Sequence, residues 1–227
     1  MSESVDKDIL QAEETWALDK KLQVGQVCHW RGFGSWSDKE WEKCGNNYFN
    51  IFKKLLGRDI KDLRVLDYGC GGGCNLFGFS SVISHYTGAD VSLKTIEHAK
   101  IEAERRNVDA DWIHIDIKNP ESSFERLESS FDLVICTAVI MHLPNRDYFH
   151  RVLKIIRNIV KEDGLVFIVM LTGRILGGAY LRRWKRSVIF KREEIDIEIK
   201  DAGFKLVNMF SKKISTYTDH YLLLQKV

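Results

Sequence analysis

The stretch VLDYGCGGG (residues 65–73) constrains the fold more than any other part of the chain. A short apolar run that ends in glycines, followed by a helical stretch from about Asn75, is typical of the first strand, turn and helix of a parallel α/β sheet. The alternation then continues. Strands are predicted in HYTGADVS, ADWIHIDI, FDLVICTAVIM and DGLVFIVMLT, with helices in LKTIEHAKIEAERRN and RDYFHRVLKIIRNIV. Strands separated by helices predict a doubly wound, mostly parallel sheet.

The length and composition indicate a single domain. The chain has 227 residues, of which 44% are hydrophobic and 2 are prolines, which excludes Pro-rich and wholly disordered classes. Residues 1–60 are predicted to form a helical N-terminal cap with a helix over 38–57. Residues 61–170 are expected to form the α/β core and 171–192 a basic lid after the fifth strand. Residues 193–227 would supply a closing helix and two further strands.

The charge pattern excludes a nucleic-acid-binding surface over the whole molecule, because 34 basic residues nearly balance 32 acidic ones. Residues 164–192 nevertheless carry seven bases and no acid. The longest strictly apolar run, 165–171, is far shorter than the roughly 20 residues of a membrane span, and the acidic N-terminus does not resemble a secretory signal. Five cysteines without paired spacing predict reduced thiols, a cytoplasmic protein and no metal site.

Acidic residues around the glycine turn favour a nucleoside ligand that carries an amino group. A dinucleotide fingerprint beginning at Gly69 would need glycine at position 74, where the chain has Cys74. Asp67 suits a positively charged amino group better than a pyrophosphate. Asp90 ends the second strand 21 residues after Gly69, where a carboxylate can accept both ribose hydroxyls, and Asp116 in the third strand can accept from an adenine amino group. The alternatives are a helix cap for Asp90 and a solvated loop acid for Asp116.

Three motifs together, VLDYGCGGG, GADVS and FDLVICTAVIMHLP, resemble class I S-adenosylmethionine-dependent methyltransferases. The resemblance covers the chain from about residue 62 to the C-terminus. It implies a seven-stranded sheet whose last strand is antiparallel, with S-adenosyl-L-methionine as cofactor and S-adenosyl-L-homocysteine as product. It also implies the following cofactor-binding residues: Asp67 for the amino group, Gly69, Cys70 and Gly71 for the methionine part, Asp90 and Val91 for the ribose, Asp116 and Ile117 for the adenine, and the backbone of Cys136.

The methyl acceptor would lie beyond the fourth strand. Methyl transfer is a direct displacement, and an oxygen acceptor of high pKa needs a base near neutral pH. The candidate catalytic residue is His142 in MHLP, with a structural or pocket-shaping role as the alternative. Candidate substrate-binding residues lie in the cap and the lid: His29, Trp30, Tyr48, Arg174 and Arg182. The alternatives are packing for the aromatic residues and a solvated helix face for the bases.

These observations predict methyl transfer to a small-molecule acceptor. We expect an oxygen atom of an anionic metabolite, phosphorylated or nucleotide-linked and sugar-like, because the lid is basic. No [Asp/Asn]-Pro-Pro-aromatic motif follows the fourth strand, which disfavours methylation of base amines and glutamine side chains. An RNA methyltransferase and a catalytically silent, cofactor-binding partner subunit are the alternatives. No membrane or nucleic-acid partner is expected, and a homodimer is left open.

Overall fold

The computed structural model describes residues 3–17, 38–173, 188–214 and 217–227. The α-helices are α1 (Glu3–Ala12), α2 (Asp38–Leu56), α3 (Cys74–Phe79), α4 (Leu93–Arg105), α5 (Arg146–Ile159) and α6 (Arg192–Asp201). The strands are β1 (Leu63–Tyr68), β2 (Ile83–Asp90), β3 (Ala110–His114), β4 (Phe131–Cys136), β5 (Val160–Gly173), β6 (Phe204–Ile214) and β7 (Tyr217–Lys226). A π-helical turn (Glu13–Ala17) and 3-10 turns (Pro120–Ser123 and Ile140–His142) complete the helical segments of these ranges.

The strands form one sheet in the order β3-β2-β1-β4-β5-β7-β6. Strand β7 runs antiparallel to its neighbours β5 and β6, and the other neighbouring pairs are parallel. This arrangement confirms the predicted doubly wound sheet of seven strands with an antiparallel last strand. The direction of strand order reverses at β1, which has β2 on one side and β4 on the other. The carboxyl ends of β1 and β4 therefore flank the crevice in which such sheets usually bind ligands.

The two faces of the sheet bury separate hydrophobic clusters. Because successive residues of a strand point to opposite faces, Leu66 packs in one cluster and Val65 in the other. By the same alternation, Asp67 shares the face of Val65. Helix α2 covers this face, and its fully buried Phe52 lies 5.7 Å from the Phe167 ring of β5. Burying a phenylalanine in this way contributes about 1.5–3 kcal/mol.

Helix α2 crosses α3 at two glycines. A Cβ atom on Gly45 would collide with the carbonyl oxygen of Cys74, and one on Gly78 would collide with the carbonyl oxygen of Gly45. The close approach places Tyr48, one turn further along α2, beside the segment that follows the glycine-rich turn. The predicted helix over 38–57 is present as α2, and Gly57 follows it with φ 67°, the left-handed conformation typical of a helix C-terminus.

The first helix packs onto the core through Ile9 and Ala12, which are both buried. No helix of the described ranges is both long and apolar enough to cross a bilayer. Most of the predicted basic lid and part of the predicted cap lie outside those ranges. Among the candidate substrate-binding residues, this applies to His29, Trp30, Arg174 and Arg182.

Candidate active site

The glycine-rich turn brings bare backbone to the carboxyl edge of β1. Gly69 and Gly71 have φ angles of 74° and 54°, which favour glycine because side chains strain this conformation. A Cβ atom on Gly69 would collide with the side chain of Val139. The backbone N–H groups of Gly69 and Cys70 donate to the Ala89 carbonyl at 2.7 and 3.0 Å. The turn is therefore fixed between the ends of β2 and β4 and has no room for a side chain at its first position.

Asp67 lies beneath this turn in a hydrogen-bonded network. Its carboxylate is fully buried and accepts from the Tyr86 hydroxyl at 2.7 Å and from the Asn75 side-chain amide at 3.0 and 3.1 Å. Asn75 also donates to Thr137 Oγ1 at 3.0 Å. Burial raises the pKa of Asp67 to about 7, although the hydrogen bonds from Tyr86 and Asn75 lower it. No cation among the described residues forms an ion pair with this carboxylate.

The carboxylate of Asp90 connects the end of β2 to the same turn. Oδ2 accepts from the Gly71 N–H at 2.9 Å, and Oδ1 accepts from the Ser92 N–H at 3.0 Å. Ser92 caps α4, because its side chain accepts from the Thr95 N–H at 3.2 Å. The capping role that was the alternative for Asp90 therefore belongs to Ser92, and the Asp90 carboxylate lies at the carboxyl edge of the sheet.

The residues expected at the adenine lie around the end of β3. Asp116 is exposed and follows the strand by two positions, and its Oδ1 accepts from the Lys118 N–H at 2.9 Å. Ile117 is buried next to it, and Val91 is half-buried after β2. This pairing of one carboxylate with apolar neighbours suits an aromatic ring that carries an amino group.

Two cysteines lie at the strand ends. Cys136, the last residue of β4, is fully buried, and burial raises the pKa of its thiol well above the usual range. Cys70 is buried in the turn, where its Sγ lies 3.4 Å from the Gly71 carbonyl oxygen. The Cys136 thiol is therefore neutral, and we expect both positions to offer their backbone to a ligand.

His142 follows β4 on the side of the crevice away from β2. It ends the 3-10 turn Ile140–His142, and its ring centroid lies 4.9 Å from that of Trp16. Burial lowers the pKa of His142 to about 4, so the imidazole is neutral at physiological pH. Trp16 belongs to the π-helical turn after α1, which brings the N-terminal segment to this position.

Tyr48 is the one candidate substrate-binding residue within the described ranges. Its ring centroid lies 6.3 Å from that of Tyr221 in β7. Burial raises the pKa of the Tyr48 hydroxyl well above its usual value, with contributions from Cys44, Cys74, Tyr221 and Asp219. The hydroxyl is therefore a neutral group between the glycine-rich turn and β7.

Comparison with known proteins decides the family. A family model described as a methyltransferase domain matches residues 41–209, about three quarters of the chain. The chain belongs to the methyltransferase family. The match includes the glycine-rich turn, the acids at the ends of β2 and β3, and the segment after β4. The sequence-based identification as a class I S-adenosylmethionine-dependent methyltransferase is thereby confirmed.

Named relatives and solved structures agree with this identification. The methyltransferase is 25% identical over 177 residues to a ubiquinone biosynthesis O-methyltransferase of Brucella anthropi, with 72% of this chain and 68% of the relative covered. A magnesium protoporphyrin IX methyltransferase of Synechocystis with bound S-adenosylhomocysteine shares the fold, at a TM-score of 0.64 and 17% identity over 86% of this chain and 90% of the other. A methyltransferase structure from Methanosarcina mazei matches with a TM-score of 0.63 and 18% identity, over 77% of this chain and 97% of the other.

The residues of the methyltransferase fit S-adenosylmethionine. The buried Asp67 carboxylate lacks a cation among the described residues, as a site for the ammonium group of the cofactor requires. Asn75 Oδ1 is buried without a hydrogen-bond donor in the same ranges and offers a second acceptor in this network. Gly69 would supply backbone to the methionine part, and Asp90 would supply a carboxylate to the ribose.

The pKa of Asp67 predicts that cofactor affinity of the methyltransferase depends on pH. Below about pH 7 the carboxyl group takes up a proton and no longer attracts an ammonium group. Linkage then predicts a dissociation constant about tenfold higher at pH 6 than at pH 8. Calorimetric titration with S-adenosylhomocysteine, which does not react, measures this ratio directly. The same constant at both pH values would show that the Asp67 carboxylate does not pair with the ammonium group.

Sequence reasoning found Asp67 but missed the groups that hold it. Tyr86 lies on β2, where register pairs it with Val65, and the two-residue alternation of β2 could have placed it near the β1 carboxylate. Asn75 directly follows the glycine-rich turn and carried a visible signal as a polar residue at a buried helix start. Nothing in the sequence indicates the role of Trp16, because its contact with His142 joins positions that are 126 residues apart.

Proposed function

We propose that this methyltransferase transfers the methyl group to an oxygen atom of a small-molecule acceptor. The observation that supports this proposal most is the neutral His142 ring after β4, on the side of the crevice away from the residues assigned to ribose and adenine. A neutral imidazole can accept a hydrogen bond from a hydroxyl group. The names of the relatives, ubiquinone biosynthesis O-methyltransferases, support oxygen as the acceptor atom.

The chain contributes position and environment to the reaction. When bound, S-adenosylmethionine supplies an electrophilic methyl group on a positively charged sulfur. Asp67 would hold the amino group of the cofactor and Asp90 would hold its ribose. The Gly69–Gly71 backbone would fix the atoms between them. His142, held against Trp16, would orient the oxygen of the acceptor toward the methyl carbon. Correct alignment of this kind supplies a large part of the rate of a displacement reaction.

The charge of the acceptor is proposed from the sequence alone. Arg174 and Arg182 belong to the basic segment 171–192, most of which lies outside the described ranges, and they would pair with an anionic group of the acceptor. The phosphorylated or nucleotide-linked, sugar-like identity rests on the same bases and stays a prediction, as do the homodimer and the cytoplasmic location. RNA methylation and a silent partner subunit remain the competing hypotheses.

A transfer assay separates these hypotheses. The purified chain is incubated with methyl-labelled S-adenosylmethionine and three sets of acceptors, namely anionic small molecules with hydroxyl groups, their hydroxyl-free analogues, and total RNA. We expect label in the first set alone. Label in the hydroxyl-free analogues would contradict a hydroxyl group as the acceptor, and label in RNA would support the RNA methyltransferase. Cofactor binding without transfer to any set would favour the silent subunit.

A further inference from the structure

The loop that follows β3 is fixed by its own hydrogen bonds. Residues 116–124, called the adenine loop below, contain Asp116 and Ile117, which are expected to contact the adenine. Ser123 Oγ accepts from the Asp116 N–H at 3.1 Å and donates to the His114 carbonyl at 3.3 Å. The far end of the loop is therefore tied back to the end of β3, and the place of the Asp116 carboxylate depends on how the whole loop is held.

Arg151 of α5 holds the middle of the adenine loop. Its Nε donates to Glu121 Oε1 at 2.7 Å, and its Nη2 donates to Glu121 Oε2 at 2.5 Å and to the Lys118 carbonyl at 3.3 Å. The N–H of Lys118 in turn donates to Asp116 Oδ1 at 2.9 Å. The backbone of a single residue, Lys118, therefore connects the guanidinium of Arg151 to the carboxylate that is expected at the adenine.

The Arg151–Glu121 pair has the geometry in which an ion pair is strongest. Each carboxylate oxygen is bonded by a separate nitrogen of the planar guanidinium, which fixes direction as well as distance. The hydrogen bond from Arg151 lowers the pKa of Glu121, and the same contact raises the pKa of Arg151, so both groups are charged near neutral pH. The guanidinium also lies over the ring of the buried Tyr148, with Cζ 5.4 Å from its centroid. Arg151 is therefore positioned by its own helix as well as by the loop.

A second ion pair reaches the same loop but holds it less firmly. Glu13, in the π-helical turn after α1, lies 2.9 Å from Lys118 Nζ, and the Lys118 side chain is 56% exposed. A single contact to the end of a flexible, exposed side chain contributes little. Arg151, whose side chain is 29% exposed, bonds the Lys118 carbonyl directly and so restrains the backbone. Arg151 therefore restrains the loop more than Glu13 does.

We propose that Arg151 is a positioning residue for the adenine loop and thereby sets the preference of the cofactor site for adenine over other purines. The inference rests on the proposed cofactor site, in which Asp116 accepts a hydrogen bond from the 6-amino group of the base. Because Arg151 and Glu121 hold the loop in place before a ligand arrives, the base gains this hydrogen bond without the cost of ordering the loop. Neither side chain needs to touch the cofactor.

Loss of this restraint affects ligands with and without the 6-amino group differently. In S-inosyl-L-homocysteine an oxygen replaces the amino group of S-adenosyl-L-homocysteine, so this ligand cannot donate to Asp116 from that position and gains nothing from the held loop. If the loop adopts its present conformation for only about a tenth of the time, the dissociation constant of the adenosyl ligand rises about tenfold. The dissociation constant of the inosyl ligand stays nearly unchanged. The ratio of the two constants therefore reports on the position of the loop.

The first test measures this ratio by calorimetric titration, without any methyl acceptor. We expect the wild type to bind S-adenosyl-L-homocysteine about thirtyfold more tightly than S-inosyl-L-homocysteine, and Arg151→Gln to reduce this preference to about threefold. Arg151→Lys keeps the charge but not the two parallel hydrogen bonds, and an intermediate preference is expected. Glu121→Gln removes the same ion pair from the side of the loop, and the two glutamine substitutions together are expected to cost no more than either alone.

Arg146→Gln is the matched control. Arg146 belongs to the same helix and likewise bonds one carboxylate, that of Glu194 at 2.5 Å, and one carbonyl, that of Ile189 at 3.1 Å, but these partners lie outside the adenine loop. We expect this variant to keep the wild-type preference. An unchanged preference in Arg151→Gln, or an equal loss in both variants, would overturn the proposal. Equal binding of the two ligands by the wild type would overturn it too but leave the proposed function standing, whereas no binding of either ligand would overturn the proposed cofactor site as well.

The second test follows the adenine loop in the absence of any ligand. Several N–H groups of the loop donate hydrogen bonds within it, namely those of Asp116, Lys118, Ser122 and Phe124. Hydrogen–deuterium exchange is measured by mass spectrometry in a peptide that spans residues 116–124. We expect exchange to be about tenfold faster in Arg151→Gln than in the wild type and unchanged in Arg146→Gln. Equal exchange in all three proteins would overturn the proposal, because the loop would then be held without Arg151.

Discussion

Replacing Asp67 with asparagine is expected to weaken S-adenosylmethionine binding by about 10²-fold at pH 8. The substitution keeps the shape of a fully buried side chain but removes the negative charge that would pair with the ammonium group. A hydrogen bond to a charged partner in a buried site contributes about 1.5–3 kcal/mol, which corresponds to this loss. Calorimetric titration of the purified variant measures it.

The stability of the Asp67→Asn variant distinguishes a binding role from a structural one. The pKa of Asp67 is raised to about 7 in the folded protein, so its contribution to stability is present at low pH and is lost as the pH rises toward 7. At pH 8 asparagine removes an unfavourable buried charge, and the melting temperature is expected not to fall. A lower melting temperature with unchanged cofactor affinity would contradict the assignment.

The matched control for this variant is Asp132→Asn on β4. Burial raises the pKa of Asp132, but hydrogen bonds from Lys161 and from the Arg64 N–H lower it overall. This carboxylate is stabilised by the fold, and its Oδ1 lies 2.6 Å from Lys161 Nζ. Asp132→Asn is therefore expected to lower stability and to leave cofactor affinity unchanged, which is the opposite pattern to that of Asp67→Asn.

Replacing His142 with alanine is expected to lower kcat by about 10²-fold while cofactor affinity is retained. The ring lies after β4, away from the residues assigned to the ribose and adenine, so its loss affects the acceptor rather than the cofactor. Misplacement of a reacting atom by about 1 Å is enough for a loss of this size. Transfer kinetics at saturating cofactor, together with a calorimetric dissociation constant, measure the two quantities separately.

His142→Phe separates the chemistry of the ring from its shape. Phenylalanine keeps a ring beside Trp16, which lies 4.9 Å from the His142 centroid, but it has no nitrogen to accept a hydrogen bond. If the nitrogen acts on the acceptor, both variants lose activity. A fully active His142→Phe variant would assign the residue to packing alone. His150→Ala, which removes a half-exposed histidine paired with Glu198 at 2.7 Å, is the control and leaves kcat unchanged.

The sheet and the proposed cofactor side of the site could be derived from the sequence because both inferences depend on short-range patterns. Alternating strands and helices define a parallel sheet, and the acids Asp67, Asp90 and Asp116 each lie at or just after the carboxyl end of a strand. In parallel strands those ends meet at one edge. A local pattern therefore placed distant residues together without any knowledge of their contacts.

The acceptor side could not be predicted in the same way, since it depends on packing between remote segments. Asp219 follows an ordinary strand pattern, and only the antiparallel register with β5 brings it to the carboxyl edge of the sheet. Tyr48 was selected from the sequence, but its neighbour Tyr221 was not, because the crossing of α2 over α3 at Gly45 decides which strand the tyrosine meets. The contact of Trp16 with His142 has the same origin.

The most direct test of the account is a calorimetric titration of S-adenosylmethionine into the wild type and Asp90→Ala. We expect one bound cofactor per wild-type chain. We also expect the affinity of Asp90→Ala to be at least about tenfold lower, because a carboxylate that accepts ribose hydroxyls contributes at least this much. No binding to the wild type, or equal affinity for both proteins, would contradict the cofactor site described at the ends of β1, β2 and β3.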